Sequence, residues 1–184
     1  EDIIGYGLRN PWKTYEYKNL LFIPDIGFST QEELNIVDLN EISETKQPYL
    51  FGWPHYEGVI DNEVIFSEIF YYENGQPLNV KSYIEENTIF PEVYYQHNAP
   101  ANFRAALIGG GVISDQTSNY FEHYFFADYI STELFSYDFN SDLVSIIPLP
   151  PVDGYITSLD VNPNEQNSLL FTTGSGYLFK ISLP

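Results

Sequence analysis

The chain has 184 residues, with 26 Asp and Glu against 7 Lys and Arg, a net charge of −19 and no cysteine. Disulfides and thiolate metal sites are therefore excluded, and nucleic acid or an anionic membrane is a poor partner, because phosphate binding runs on basic groups. At 43% hydrophobic, with 16 Tyr, 14 Phe and 2 Trp, the chain is too aromatic to be disordered and long enough for one sizeable core.

The excess of carboxylates suits calcium or magnesium; equally, it would keep a sticky aromatic surface soluble. No apolar run approaches the ~18 residues needed to cross a bilayer and no signal peptide opens the chain, so membrane insertion is not expected. Glu1 at the first position, where Met would stand, suggests a processed protein or a piece of a longer one.

Helix periodicity is nearly absent, and strand signals bounded by Gly, Pro, Asn or Ser-Thr turns recur along the chain. They begin with IIGYGL (3–8), LLFIPDI (20–26), ELNIVDL (33–39) and NEVIFSEIFYY (62–72). Between 45 and 105 the spacing gives way to a loop-rich excursion holding Pro48, Gly52, Pro54, Gly58, Gly75, Pro77, Pro91 and Pro100. From 106 the runs ALIGGGVIS, YFFADY (124–129), LFSYDF (134–139) and LVSIIPL (143–149) predict a meander of four antiparallel strands. Such a meander is one propeller blade. A second round, ITSLDV (156–161), SLLFTT (168–173) and YLFKISL (177–183), stops after three strands. The expected fold is all-β, a β-propeller of four-stranded antiparallel blades. A first blade covers about 1–60 with the excursion 45–105, a second covers 106–150, and an incomplete last blade covers 151–184. The edge of YLFKISL is expected to pair with a strand from another chain or from further sequence.

Four stretches occur in register: GLRNPW (7–12), DIGFSTQEELNIV (25–37), FGWPHYEG (51–58), and IGGGVIS (108–114) with YFFADYISTELFSYDF (124–139). Their succession resembles the C-terminal half of the glucose/sorbosone dehydrogenase family, soluble quinoprotein sugar dehydrogenases that are six-bladed propellers. About three blades of six would then be present. The resemblance implies oxidation of an aldose by hydride transfer to pyrroloquinoline quinone (PQQ), with Arg9 and Asn10 at the central funnel as catalytic and cofactor-binding residues. A guanidinium there would stabilise negative charge as hydride arrives. Alternatively, Arg9 pairs with a carboxylate and Asn10-Pro11 forms a turn. The resemblance also implies a calcium ion on the backbone carbonyls of Gly27 and Phe28, although an ordinary glycine turn would explain Gly27. It implies a second, structural calcium on Glu33, the Phe51 carbonyl and Asp61, with solvated acids as the alternative.

Other residues have plainer expectations. Trp53 and Pro54 read as core and corner residues. His55, His97 and His123 lack ligand spacing, and Asp128 is expected to cap a turn.

Two departures stand out. Where the resemblance implies basic partners for PQQ the chain has Ile130 and Ser131, and then Tyr155 and Thr157. The general-base His belongs to a blade outside this sequence, so completion by blades of the same precursor, another chain or a second copy is expected. A non-catalytic, calcium-stabilised module binding a glycan or protein is the competing expectation. The location expected is extracellular, periplasmic or at the cell surface.

Overall fold

The computed structural model describes residues 3–61, 71–73, 76–78, 81–97 and 103–184. After β1 (Gly5–Tyr6), strands β2 (Tyr15–Tyr17), β3 (Leu20–Asp25) and β4 (Gln31–Asp38) form an antiparallel meander. Helix α1 (Leu39–Thr45) follows, capped by the Asp38 side chain, which accepts from the Asn40 N–H. Strand β5 (Tyr49–Leu50) lies parallel to β1, and β6 (Tyr56–Glu57) with β7 (Ile60–Asp61) and β8 (Tyr71–Glu73) with β9 (Gln76–Leu78) form two short pairs. After helix α2 (Lys81–Asn87), β10 (Val93–Gln96) returns to β4 and completes a four-stranded antiparallel sheet in the order β10-β4-β3-β2.

A second four-stranded antiparallel sheet is the meander β11 (Leu107–Val112), β12 (His123–Asp128), β13 (Leu134–Asp138) and β14 (Leu143–Ile147). The third holds β15 (Ile156–Val161), β16 (Ser168–Thr173) and β17 (Leu178–Ser182).

The expected mostly β architecture and four-strand meander are present. Three details differ from expectation. The stretch 3–8 does not open the first sheet, because β1 pairs with β5; the opening strand is the short β2. The fourth strand, β10, lies inside the stretch read as a loop excursion. Two short helices occur where none was expected. Of the run 62–72, residues 62–70 lie outside the described residues.

Strands β11 to β13 of the second sheet are buried on both faces, which is why they read as unbroken apolar runs, whereas the outer strand β14 is exposed at four of its five residues. Tyr124 and Phe126 point toward the first sheet, meeting Phe22 and Leu34, while Phe125 and Ala127 point toward the third, meeting Ile156, Leu159 and Phe171. Phe22 stacks on Tyr124 with centroids 4.5 Å apart, and Phe126 stacks on Phe135 at 5.0 Å. Each such ring contributes about 1.5–3 kcal/mol by leaving water.

The opening strands of the three sheets converge. Strand β11 lies against β2 and β15, and Lys13, just before β2, ion-pairs with Asp160 of β15 at 2.8 Å. This closeness depends on the run Gly109–Gly111, where β11 also carries a register shift. A Cβ on Gly110 would stand 2.4 Å from the Phe125 carbonyl oxygen and 2.8 Å from a Leu159 methyl. Because the first obstacle is main chain, Gly110→Ala is expected to cost about 2–3 kcal/mol, read as a lower midpoint in urea unfolding with an unchanged slope.

Candidate functional site

One end of the sheets gathers the β3–β4 loop, the β12–β13 turn and the entry to β15. Three contacts show it: Glu32 accepts from Leu107 N at 2.9 Å, Tyr95 donates to Asp128 at 2.9 Å, and Tyr129 stacks on Tyr155 at 5.0 Å. We refer to this end as the mouth.

The GLRNP corner reaches the mouth through Asp25, a fully buried carboxylate at the end of β3. Its two oxygens accept from Arg9 N (2.8 Å) and Asn10 N (2.6 Å). Burial pushes the Asp25 carboxyl above its usual range, against the downward pull of these N–H bonds and of the Arg9 charge. The Arg9 side chain then crosses to the next loop, where Nη1 donates to the carbonyls of Ile26 (2.9 Å) and Gly27 (2.8 Å). Its guanidinium carbon lies 5.3 Å from the Phe28 ring centroid and 5.7 Å from that of Trp53. Arg9, Gly27 and Phe28 are thus brought together, with Phe28 half exposed. Asn10 contributes its main chain to the corner, and its side chain is exposed.

Gly27 is required by close approach, since a Cβ there would fall 1.7 Å from the Gln31 carbonyl oxygen. The rest of the loop is held by Glu57 of β6, whose Oε1 accepts from Ser29 N (2.8 Å), Thr30 N (2.7 Å) and Gln31 N (3.1 Å). Burial alone would raise this carboxyl, but the three N–H bonds outweigh it and hold Glu57 below its ordinary value.

Glu33 lies on the other side of the loop. It accepts from Gly58 N and, at 3.3 Å, from Asn35 Nδ2. Burial first, and then the charges of Asp25 and Glu57, push Glu33 up to about 7. Gly58 belongs to the hairpin turn between β6 and β7, so Glu33 meets the hairpin that carries Asp61, while Phe51 is buried just upstream. Two buried oxygens nearby, Glu57 Oε2 and Asn35 Oδ1, have no hydrogen-bond partner. Unpartnered acceptors beside a carboxyl raised by burial and then by its neighbours' charge fit a cation. Among the described residues, no three acidic or histidine side chains converge as a metal site; the donor set here would be two acids with amide and main-chain oxygens.

Glu32, on the opposite face of β4, joins the first sheet to the second. It accepts from Ala106 N and Leu107 N, both at 2.9 Å, and lies 2.6 Å from His97 Nε2. Asp128 caps its turn as expected, accepting from Ile130 N (3.0 Å) and Ser131 N (2.8 Å). His123 packs edge-on against Tyr120, away from the mouth. Arg104 pairs with Glu133 through two bonds, at 2.6 and 3.0 Å.

Asp25, Glu32 and Glu57, which shape the mouth, were not singled out from sequence. The acid inside the apolar run LLFIPDI is the one signal that could have marked Asp25.

No protein-family model matches the chain, and no curated protein matches it in sequence. Solved structures match its fold. The PQQ-bound aldose sugar dehydrogenase of Streptomyces coelicolor aligns with a TM-score of 0.58 and 14% identity, covering 99% of this chain and 46% of that one. The apo form of the soluble aldose sugar dehydrogenase of Escherichia coli aligns at 0.62 and 20%, covering 99% and 47%. A glucose dehydrogenase aligns at 0.62 and 16%, covering 98% and 46%. The chain has the fold of a partial propeller of this type and spans about half the length of these structures.

His97 supplies a pH signature. Its bond to Glu32, outweighing burial, raises it above 6.5, with the charges of Glu57 and Asp128 adding to the effect. A raised folded value means that its stabilisation is complete below about pH 6.5 and is lost as pH rises through the folded value. The melting-temperature difference between the native chain and His97→Gln is expected to be largest in mild acid and to shrink toward alkaline pH. A flat difference would show that His97 does not stay protonated on Glu32.

Proposed function

We propose that the chain is a half-ring, three blades of a six-bladed propeller, completed by blades from a longer polypeptide, another chain or a second copy. Its mouth, in this reading, binds a glycan or protein partner. The contrast between the third strands of the last two sheets supports the half-ring. Strand β13, flanked by β14, buries Leu134, Phe135, Ser136 and Tyr137, whereas β17 buries none of its residues and leaves Leu178 70% exposed. A fourth strand along β17 would give it the cover that β14 gives β13.

One observation carries the choice of binding over sugar oxidation. Where cations would be needed for the three carboxylates of PQQ, the mouth presents the Tyr129–Tyr155 stack and a turn whose N–H groups are already taken by Asp128. Unpaired carboxylates beside these residues, in a protein of net charge −19, would be costly to desolvate. PQQ does not fit this wall. The Tyr129–Tyr155 stack, and separately the Phe28–Trp53 pair, do suit the apolar face of a sugar ring. Aldose oxidation is the second reading, favoured by the Arg9–Asn10 corner that Asp25 holds at the mouth.

Calcium enters this reading as a structural ion at Glu33, with Asp61 and the Phe51 carbonyl as further donors. It would supply the charge that the raised Glu33 carboxyl and the unpartnered oxygens call for.

Titration of the chain with calcium and PQQ separates the readings. Calcium at a hundredfold its Kd is expected to add about 2.7 kcal/mol, roughly 5–10 °C of melting temperature for a chain of this size. Glu33→Gln should abolish that gain. PQQ is expected to leave its quinone absorbance unchanged. A spectral change accompanied by reduction of an artificial electron acceptor with aldoses would establish oxidation instead.

A further inference from the structure

In the half-ring reading, the position that the sugar-dehydrogenase resemblance gives to a calcium ion is the carbonyl pair of Gly27 and Phe28. We propose that in this protein the Arg9 guanidinium is the cation of that position, fixing the loop and closing it to divalent metal. Four observations lead there. First, Nη1 bonds two consecutive carbonyls, those of Ile26 and Gly27, at 2.9 and 2.8 Å, so the Gly27 oxygen that calcium would share with Phe28 is already taken. Bonding consecutive carbonyls is the task a metal ion performs on a turn of main chain. Second, the guanidinium lies against Phe28 and Trp53, which favour a delocalised planar cation over a strongly hydrated one.

Third, the main chain carrying Arg9 is tied down, since Asp25 accepts from both Arg9 N and Asn10 N. The side chain therefore starts from a fixed point beside the loop. Fourth, most of the acid oxygens around the loop are committed elsewhere, Glu57 Oε2 excepted. Asp25 spends both oxygens on that corner; Glu32 spends its own on Ala106, Leu107 and His97; and Glu57 Oε1 is filled by Ser29, Thr30 and Gln31. Calcium needs six to eight oxygens at about 2.3–2.6 Å. On the Gly27 carbonyl it would sit within about 5 Å of a guanidinium nitrogen, where like charges repel.

The replacement also explains why a chain with two arginines, the second locked to Glu133, spends the first on backbone carbonyls. A metal-free mouth keeps its shape at any calcium level, whereas the Glu33 region answers to the ion.

Carbonyl ¹³C shifts of Ile26, Gly27 and Phe28, followed by NMR during a calcium titration, test the proposal. In the native chain these three carbonyls are expected to stay in place. In Arg9→Gln, which removes the charge while keeping a donor, Gly27 and Phe28 are expected to move saturably. In Arg9→Lys, which keeps the charge, they are expected to stay in place. Saturable movement in the native chain, movement in the lysine variant, or no movement in a folded glutamine variant would each overturn the proposal. If the glutamine variant does not fold, the native and lysine titrations still decide. Calcium at Glu33 is read separately, as thermal stabilisation lost in Glu33→Gln, so the mouth can fail this test while the half-ring reading stands.

Discussion

Buried carboxylates held by main-chain N–H groups are the constraint on which the rest of this structure depends. Among the described residues Asp25, Glu32, Glu33, Glu57 and Asp128 are all under 10% exposed; His97 pairs with Glu32, and main-chain N–H groups reach all five. An isolated buried carboxylate is expensive, and it is tolerated where several donors converge on it. Here the donors are loop amides: Arg9 and Asn10 on Asp25, Ala106 and Leu107 on Glu32, Ser29 to Gln31 on Glu57, Ile130 and Ser131 on Asp128. Each bond satisfies a carboxylate and orders a loop at once. Loss of one such acid leaves several main-chain donors unpaired, so its effect falls on loop geometry as much as on stability.

These contacts divide the labour between core and mouth. The aromatic layer between the first two sheets, with Phe22 of β3 on Tyr124 of β12, fixes how those sheets stack, while Phe126 on Phe135 ties neighbouring strands of the second. They do not specify where the connecting loops go. The carboxylates do, and they act across sheets: Glu32 of β4 holds the start of β11, and Asp128 of β12 takes Tyr95 of β10. The two kinds of contact meet on β4, where Leu34 packs into the core on the face it shares with Glu32, while Glu33 and Asn35 share the other.

Legibility from sequence follows burial. The runs YFFADY, LFSYDF and SLLFTT are buried on one or both faces, so their strands were plain as apolar stretches. Strand β2 has three residues with alternating exposure in the stretch KTYEYK, and β10 lies in a stretch rich in proline, so neither stood out. Arg9, Gly27 and Phe28 could be placed together only through the resemblance carried by GLRNPW and DIGFSTQEELNIV. Asp25, Glu32 and Glu57 could not be singled out, because in a chain of 26 acids a buried carboxylate looks like any solvated one. Burial is a three-dimensional property, and only partners in other strands reveal it.

In the half-ring reading, the same distribution of contacts determines what a completing partner would have to supply. The mouth loops are anchored to acids within the chain, so their shape does not wait for another surface. Among the described residues the third sheet has only three strands, so β17 pairs on one side and Leu178 lies in solvent beside half-exposed Tyr177. A strand added there would gain a ladder of main-chain hydrogen bonds and apolar cover without remodelling any loop, the situation in which little ordering entropy is lost on association. With Lys180 already paired to Glu165 of the β15–β16 connection, β17 carries no free basic group to attract an acidic strand. Backbone pairing and apolar contact, rather than charge, must then select what docks on it.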